Sequence, residues 1–256
     1  MKLKNDLGTD NYYISNPREF KGSSIPLIDI QKALDFAYEM CFGFGHHRSH
    51  RTGGQYDRKN GEKFCNTFQG KLGEIVLYNY FTKNNISCNE PDFGIYPKGI
   101  WDNSDLIIYG QKINVKSVAS QSNLLLLETK DWNKDGHYKP NLDLNNDSTY
   151  QYDYFILIRI NPDIKKLFKE KKLMFCNEVE KKTIETLILD KSWTFDVAGY
   201  CTHKDVVDSI LGNFILPQNS TLNRYTKMDA ENYYIQSGDM KIIDNIIPIL
   251  KSIEKL

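Results

Sequence analysis

No apolar run in this chain approaches the length of about eighteen residues that a membrane span needs. The opening residues, MKLKNDLGTDNYY, lack the apolar middle of a secretory signal, so a cytoplasmic chain is expected. Its five cysteines, Cys41, Cys65, Cys88, Cys176 and Cys201, include no C-x-x-C pair. That argues against both a zinc knuckle and a disulfide framework and predicts reduced, mostly buried thiols. Net charge is zero, from 33 basic and 33 acidic residues, so a nucleic-acid partner has no support from overall charge and any anion site must be local. A Gly-rich phosphate loop, a Rossmann fingerprint and an internal repeat are all missing, which disfavours a nucleotide-dependent small-molecule enzyme.

What is present is an ordinary globular composition: 256 residues, 40% hydrophobic and 26% charged, with no evident linker, which predicts a single domain over 1–256. The stretch DIQKALDFAYEMCF has helical spacing, with Asp29 as its expected N-cap and an end near Phe42. A second helix is expected from about Glu62 to Lys83, with Leu72, Ile75, Val76 and Tyr80 forming its apolar stripe and Glu74 beside it. A hairpin over about 104–109 and 112–119 follows, then a short apolar strand at Leu124–Leu127. YDYFILIRI reads as a buried central strand because its apolar run is nearly continuous. Helical patterns around 178–189, a strand in WTFDVAGYC, a capping box at Thr202 and Asp205, and a last helix holding Pro248 near its start complete the pattern. Strands mixed with helices imply an α/β or α+β layer structure. The stretch from Thr129 to Tyr152 has no periodicity, and a connection that long tends to be functional or mobile.

Two places concentrate chemistry. Between His46 and Lys71 six basic residues, Arg48, Arg51, Arg58, Lys59, Lys63 and Lys71, stand against two acids, Asp57 and Glu62, on a glycine-rich loop running into a helix. A solvated loop is the plain reading; the sharper one is a phosphate-gripping clamp. His46, His47 and His50 lack a defined ligand set. The second place is SDLIIYGQKINVKS, residues 104 to 117. Side chains alternate along a strand, so Asn114 and Lys116 share a face, and a turn at Gly110 and Gln111 would bring Asp105 alongside, as cross-strand neighbour of Lys116. A carboxylate, an amide oxygen and an ammonium at one point suit phosphodiester hydrolysis. The oxygens, with the Val115 carbonyl, can hold Mg²⁺, and the lysine can orient the attacking water. Asp92 and Asp102 are closer to turn formers than to ligands, and Lys204 and Asp205 to a helix cap.

Asp105 followed by Asn114-Val115-Lys116 resembles the motif of the PD-(D/E)XK nucleases, and QGKLGEIVLYNYF, residues 69 to 81, is similar to the glycine-rich helix whose glutamate enters their active site, with Glu74 at the matching position. The resemblance covers roughly residues 46 to 120 and is nearest to type II restriction endonucleases. It implies a central mixed sheet flanked by helices, with a catalytic core over about 62–160 and residues 161–256 completing the fold or contributing DNA recognition. It also implies Mg²⁺-dependent cutting of duplex DNA at a short sequence. Glu74, Asp105 and Asn114, with Val115, would place the metal and Lys116 would activate water. Arg48, Arg51, Arg58, Lys63 and Lys71 would hold phosphates. A homodimer is expected on two-fold symmetric sites, with a cognate DNA methyltransferase as genetic neighbour.

Two positions depart from the motif: Ser104 replaces a proline, and Asn114 replaces an acid. A unit charge roughly 4 Å from a divalent ion contributes on the order of 8 kcal/mol at an effective dielectric near 20, before desolvation. Either Glu74 supplies that charge from the helix, or the natural protein has an aspartate here that was exchanged for Asn114 to trap substrate. Two alternatives remain: a repair or junction-resolving nuclease of the same fold, and a non-catalytic DNA-binding protein with a degenerate site. The hairpin alone would favour the plain reading of an edge with solvated polar ends; Glu74 on the preceding helix changes the balance.

Overall fold

A computed structural model describes residues 1–43, 58–95, 105–145 and 150–255. The chain begins with β1 (Lys4–Asn5), β2 (Asn11–Tyr13) and β3 (Ser23–Ser24), then enters helix α1 (Leu27–Phe42) and the long helix α2 (Asn60–Lys83). The hairpin β4 (Leu106–Ile108) and β5 (Gln111–Ala119) follows, then β6 (Leu124–Glu128), α3 (Lys139–Asn145) and β7 (Tyr154–Asn161). Next come α4 (Ile164–Glu170), α5 (Lys181–Leu189), β8 (Thr194–Thr202), α6 (His203–Leu211) and the short strands β9 (Ile215–Leu216), β10 (Thr221–Leu222) and β11 (Thr226–Lys227). β12 (Asn232–Gln236) and α7 (Ile246–Ile253) close the chain.

A five-stranded sheet in the order β3-β8-β7-β5-β4 forms the centre, with β5 and β7 parallel and the other neighbours antiparallel. The mixed α and β architecture expected from the sequence is therefore observed. β7 is central because both of its faces are buried. Ile156, Ile158 and Ile160 pack into the larger core with α1, α2, α4, α5 and α7. Phe155 and Leu157 pack on the other face with Leu125, Trp132, Val206 and Ile235. There the antiparallel sheet β6-β12-β9 covers the centre, and a small sheet β1-β2-β10-β11 lies beyond it. Among the described residues no helix is long and apolar enough to cross a membrane.

Local chemistry explains the boundaries. Asp29 is not the N-cap of α1. Pro26 precedes the helix, and Asp29 sits buried in its first turn, accepting a hydrogen bond from Asn79 Nδ2 at 2.8 Å. Burial raises its pKa. The capping box is formed: the Thr202 hydroxyl accepts from the Asp205 backbone N–H, and the Asp205 carboxylate accepts from that of Thr202. Pro248 occupies the first turn of α7, where a backbone N–H has no helical partner to lose. All five cysteines are free thiols, three of them buried. Burial pushes the thiols of Cys41 and Cys201 up to about 12.

One residue breaks the apolar run of β7. Arg159 is 1% exposed and pairs with Asp196 across β8 at 2.6 Å, while also donating to the carbonyls of Arg18 and Glu19. Asp196 in turn accepts from the Lys21 backbone. This pair ties the N-terminal segment to the sheet. Removing one partner of a buried pair leaves the other charge uncompensated, so Asp196→Ala should cost roughly 3–5 kcal/mol. Urea denaturation checks this; a loss below about 1 kcal/mol, the range of an exposed pair, contradicts it.

Candidate functional site

The hairpin turns at Tyr109 and Gly110, not at Gly110 and Gln111. Both have positive φ, 48° and 82°, as a two-residue type I′ turn requires, and Gln111 is already paired with Ile108. This shifts the register. With Ile107 opposite Lys112 and Leu106 opposite Ile113, Asp105 comes opposite Asn114 and not opposite Lys116. Among the described residues backbone pairing of β4 ends at Leu106, and the Asp105 carboxylate continues it by accepting the Val115 backbone N–H at 2.6 Å. The N–H and C=O of one strand residue leave on the same side, so the Val115 carbonyl also faces the Asp105 side.

Asn114 is 6% exposed, and among the described residues its Oδ1 has no hydrogen-bond donor. A buried acceptor in that state costs about 1–3 kcal/mol. Its amide lies within hydrogen-bonding reach of the Tyr152 hydroxyl, which also accepts from Asn141 Nδ2 at 3.0 Å. Burial, and after it the Asp105 charge, raises the Tyr152 phenol far above its usual pKa. An aspartate in the place of Asn114 would set a buried carboxylate opposite the half-buried one of Asp105, and the two like charges would repel. The surroundings of residue 114 thus suit an amide when no cation is bound.

Helix α2 lies on the other face of β5. A Cβ on Gly73 would come within 2.9 Å of Ser117 Cβ, and Gln69 Nε2 donates to the Ser117 carbonyl at 2.8 Å. Val115 and Ser117 therefore point to the helix, while Asn114 and Lys116 point away from it. Glu74 pairs with Lys71 at 2.5 Å. The Lys71 ammonium also donates to the Asp92 carbonyl at 2.7 Å and sits between the rings of Phe36 and Phe93. The segment carrying Asp92 follows the outer edge of β4, held by reciprocal hydrogen bonds between Asn89 and Ile107. Glu74 is thereby turned toward the edge of the sheet on which Asp105 stands.

The structure thus brings Asp105, Asn114 and Val115 together, sets Lys116 two residues along on the Asn114 face, and places Glu74 on the opposite face near the same edge. Lys71 is 8% exposed and turned inward, toward Glu74 and Asp92. Arg58 and Lys63 sit at the start of α2, both close enough to Cys41 to act on its thiol electrostatically. At about 1.5 Å per residue, Lys63 is roughly 16 Å along the helix from Glu74. Arg48, Arg51, Asp102 and the three neighbouring histidines, His46, His47 and His50, lie outside the described residues. Asp92 is a turn former, its carboxylate accepting from the Gly94 N–H.

Lys116 also lines a cleft of 370 Å³ with Val118, Glu128, Asp131, Asp229 and Asn232. Sequence reasoning missed this hollow because its walls come from β5, β6 and the approach to β12. The only signal was the long stretch after Glu128, which holds a 3₁₀ turn at Thr129–Asp131, a bridge between Trp132 and Tyr138, and α3. Among the described residues no group of three or more His, Cys, Asp or Glu is placed to hold a metal ion. A divalent ion at the hairpin would therefore depend on Asp105 with amide and carbonyl oxygens, a donor set that suits a hard cation. Comparison with protein-family models, curated proteins and solved structures finds no match to this chain.

The close approach at Gly73 is testable. Overpacking of about 1–3 kcal/mol opposes the helix-propensity gain of about 1 kcal/mol, so Gly73→Ala should destabilise by about 1 kcal/mol on thermal denaturation. A more stable variant contradicts the contact between helix and strand.

Proposed function

We propose that this protein is a Mg²⁺-dependent endodeoxyribonuclease of restriction-endonuclease-like fold, cutting duplex DNA at a short specific sequence. The observation that carries the reading is the open end of the hairpin. A carboxylate is bonded to the strand beside it, opposite a buried amide oxygen that has no donor among the described residues, with a lysine two residues along the same face. Asp105, Asn114 Oδ1 and the Val115 carbonyl would hold the ion, and Glu74 would add charge from the helix side. When bound, Mg²⁺ polarises the phosphate and lowers the pKa of a coordinated water. Lys116 orients the attacking water and offsets the charge that develops on the phosphoryl oxygens. Arg58 and Lys63 grip the DNA backbone farther along α2. A homodimer would match a two-fold symmetric target, and a cognate methyltransferase would protect the host.

A second reading, DNA binding without cleavage, is favoured by the fit of Asn114 to the Tyr152 hydroxyl, because an amide at this point leaves the site one negative charge short. Incubation with phage DNA and Mg²⁺ separates the two. The nuclease reading expects discrete fragments, faster cutting by Asn114→Asp, and a rate lower by about 10²–10⁴ in Lys116→Ala. If neither the native form nor Asn114→Asp cuts in Mg²⁺ or Mn²⁺, the nuclease reading is overturned. Binding with a steep salt slope would then support the second reading.

A further inference from the structure

We propose that Tyr152, held by Asn141, is a positioning residue that sets the direction of the Asn114 amide and so prepares Oδ1 as an oxygen ligand; this rests on the metal-dependent reading above. The three residues come from the approach to β7, from α3 and from β5, and all are buried. Asn141 Nδ2 donates to the Tyr152 hydroxyl at 3.0 Å, and the Asn114 amide reaches the same oxygen. The ring of Tyr152 packs against those of Tyr150 and Phe155, each at 5.8 Å, which keeps its hydroxyl in place.

A carboxamide has nearly the same shape at both ends, and its surroundings decide which end faces which neighbour. The Asn114 amide meets the phenol oxygen as a donor, as Asn141 does, so its nitrogen end lies against Tyr152. The oxygen end is left facing elsewhere, buried and with no donor among the described residues. Packing alone does not call for such an acceptor, whereas a bound cation would satisfy it. A motif search cannot find this device, because Asn141 and Tyr152 have no fixed spacing from the hairpin and meet it only in the folded chain.

A carboxylate has two oxygen ends and needs no such orientation, which makes Asn114→Asp the control. The experiment is calorimetric titration of Mn²⁺, without DNA, into four full-length proteins: the native form, Tyr152→Phe, Asn114→Asp, and the double variant. Tyr152→Phe should weaken Mn²⁺ binding by about tenfold when Asn114 is present and leave it unchanged in the Asn114→Asp background. An equal loss in both backgrounds would mean that Tyr152 only supports packing, and overturns the proposal. Unchanged affinity in Tyr152→Phe overturns it as well, while the metal-dependent reading stands. Absence of Mn²⁺ binding in the native form overturns the positioning role, and absence in Asn114→Asp too overturns the reading beneath it. If circular dichroism shows that Tyr152→Phe fails to fold, Asn141→Ala replaces it, with the same pattern expected and the same equal loss decisive against it.

Discussion

Where the backbone of β4 gives out, the Asp105 carboxylate takes its place as partner of β5, accepting the Val115 N–H at 2.6 Å. The rest of the site follows from this bond. It fixes the carboxylate at the open end of the hairpin, directly opposite Asn114, and it turns one polar edge of Val115 toward the same point. Charge-assisted bonds of this kind are short and stronger than neutral ones, so the carboxylate is held in place before any ligand arrives. The parallel pairing of β5 with β7 supplies the support behind it, since β7 is buried on both faces and anchors β5 along its length.

The same strand divides its duties by face. Val115 and Ser117 meet α2 so closely that a Cβ at position 73 would crowd Ser117, whereas Asn114, Lys116 and Val118 face the second core and the cleft beside it. Polar side chains on a strand packed on both sides need partners, and the surroundings differ accordingly. Asn114 meets Tyr152, which Asn141 also engages, and Lys116 opens into a hollow bordered by Glu128, Asp131 and Asp229. Glu74 approaches from the helix face near the same edge, with Lys71 as counter-charge.

Local features were legible in the sequence where local chemistry decides the outcome. The extent of α2, the buried run of β7, the strand β8, the capping box at Thr202 and the place of Pro248 all follow from periodicity or from residue types at fixed offsets. The hairpin was legible, but its register was not. Glycine at position 110 suggested the turn, yet the turn needs positive φ at Tyr109 as well, and moving the turn by one residue shifted the partner of Asp105 by two, from Lys116 to Asn114. What stayed hidden depends on long-range contact. β12 pairs with β6 across more than a hundred residues, Arg159 in an apolar run is satisfied by carbonyls near the N-terminus, and Tyr152 closes a stretch without periodicity. At the candidate site, strand alternation made the common face of Asn114 and Lys116 readable, while the partner of Asp105 was not.

Anomalous diffraction from Mn²⁺ in crystals of the full-length chain is the most direct measurement of whether the hairpin end is a metal centre. A metal centre there gives a peak about 2.0–2.2 Å from both the Asp105 carboxylate and Asn114 Oδ1. A peak among Glu128, Asp131 and Asp229 in the neighbouring cleft, with none at Asp105, would contradict it.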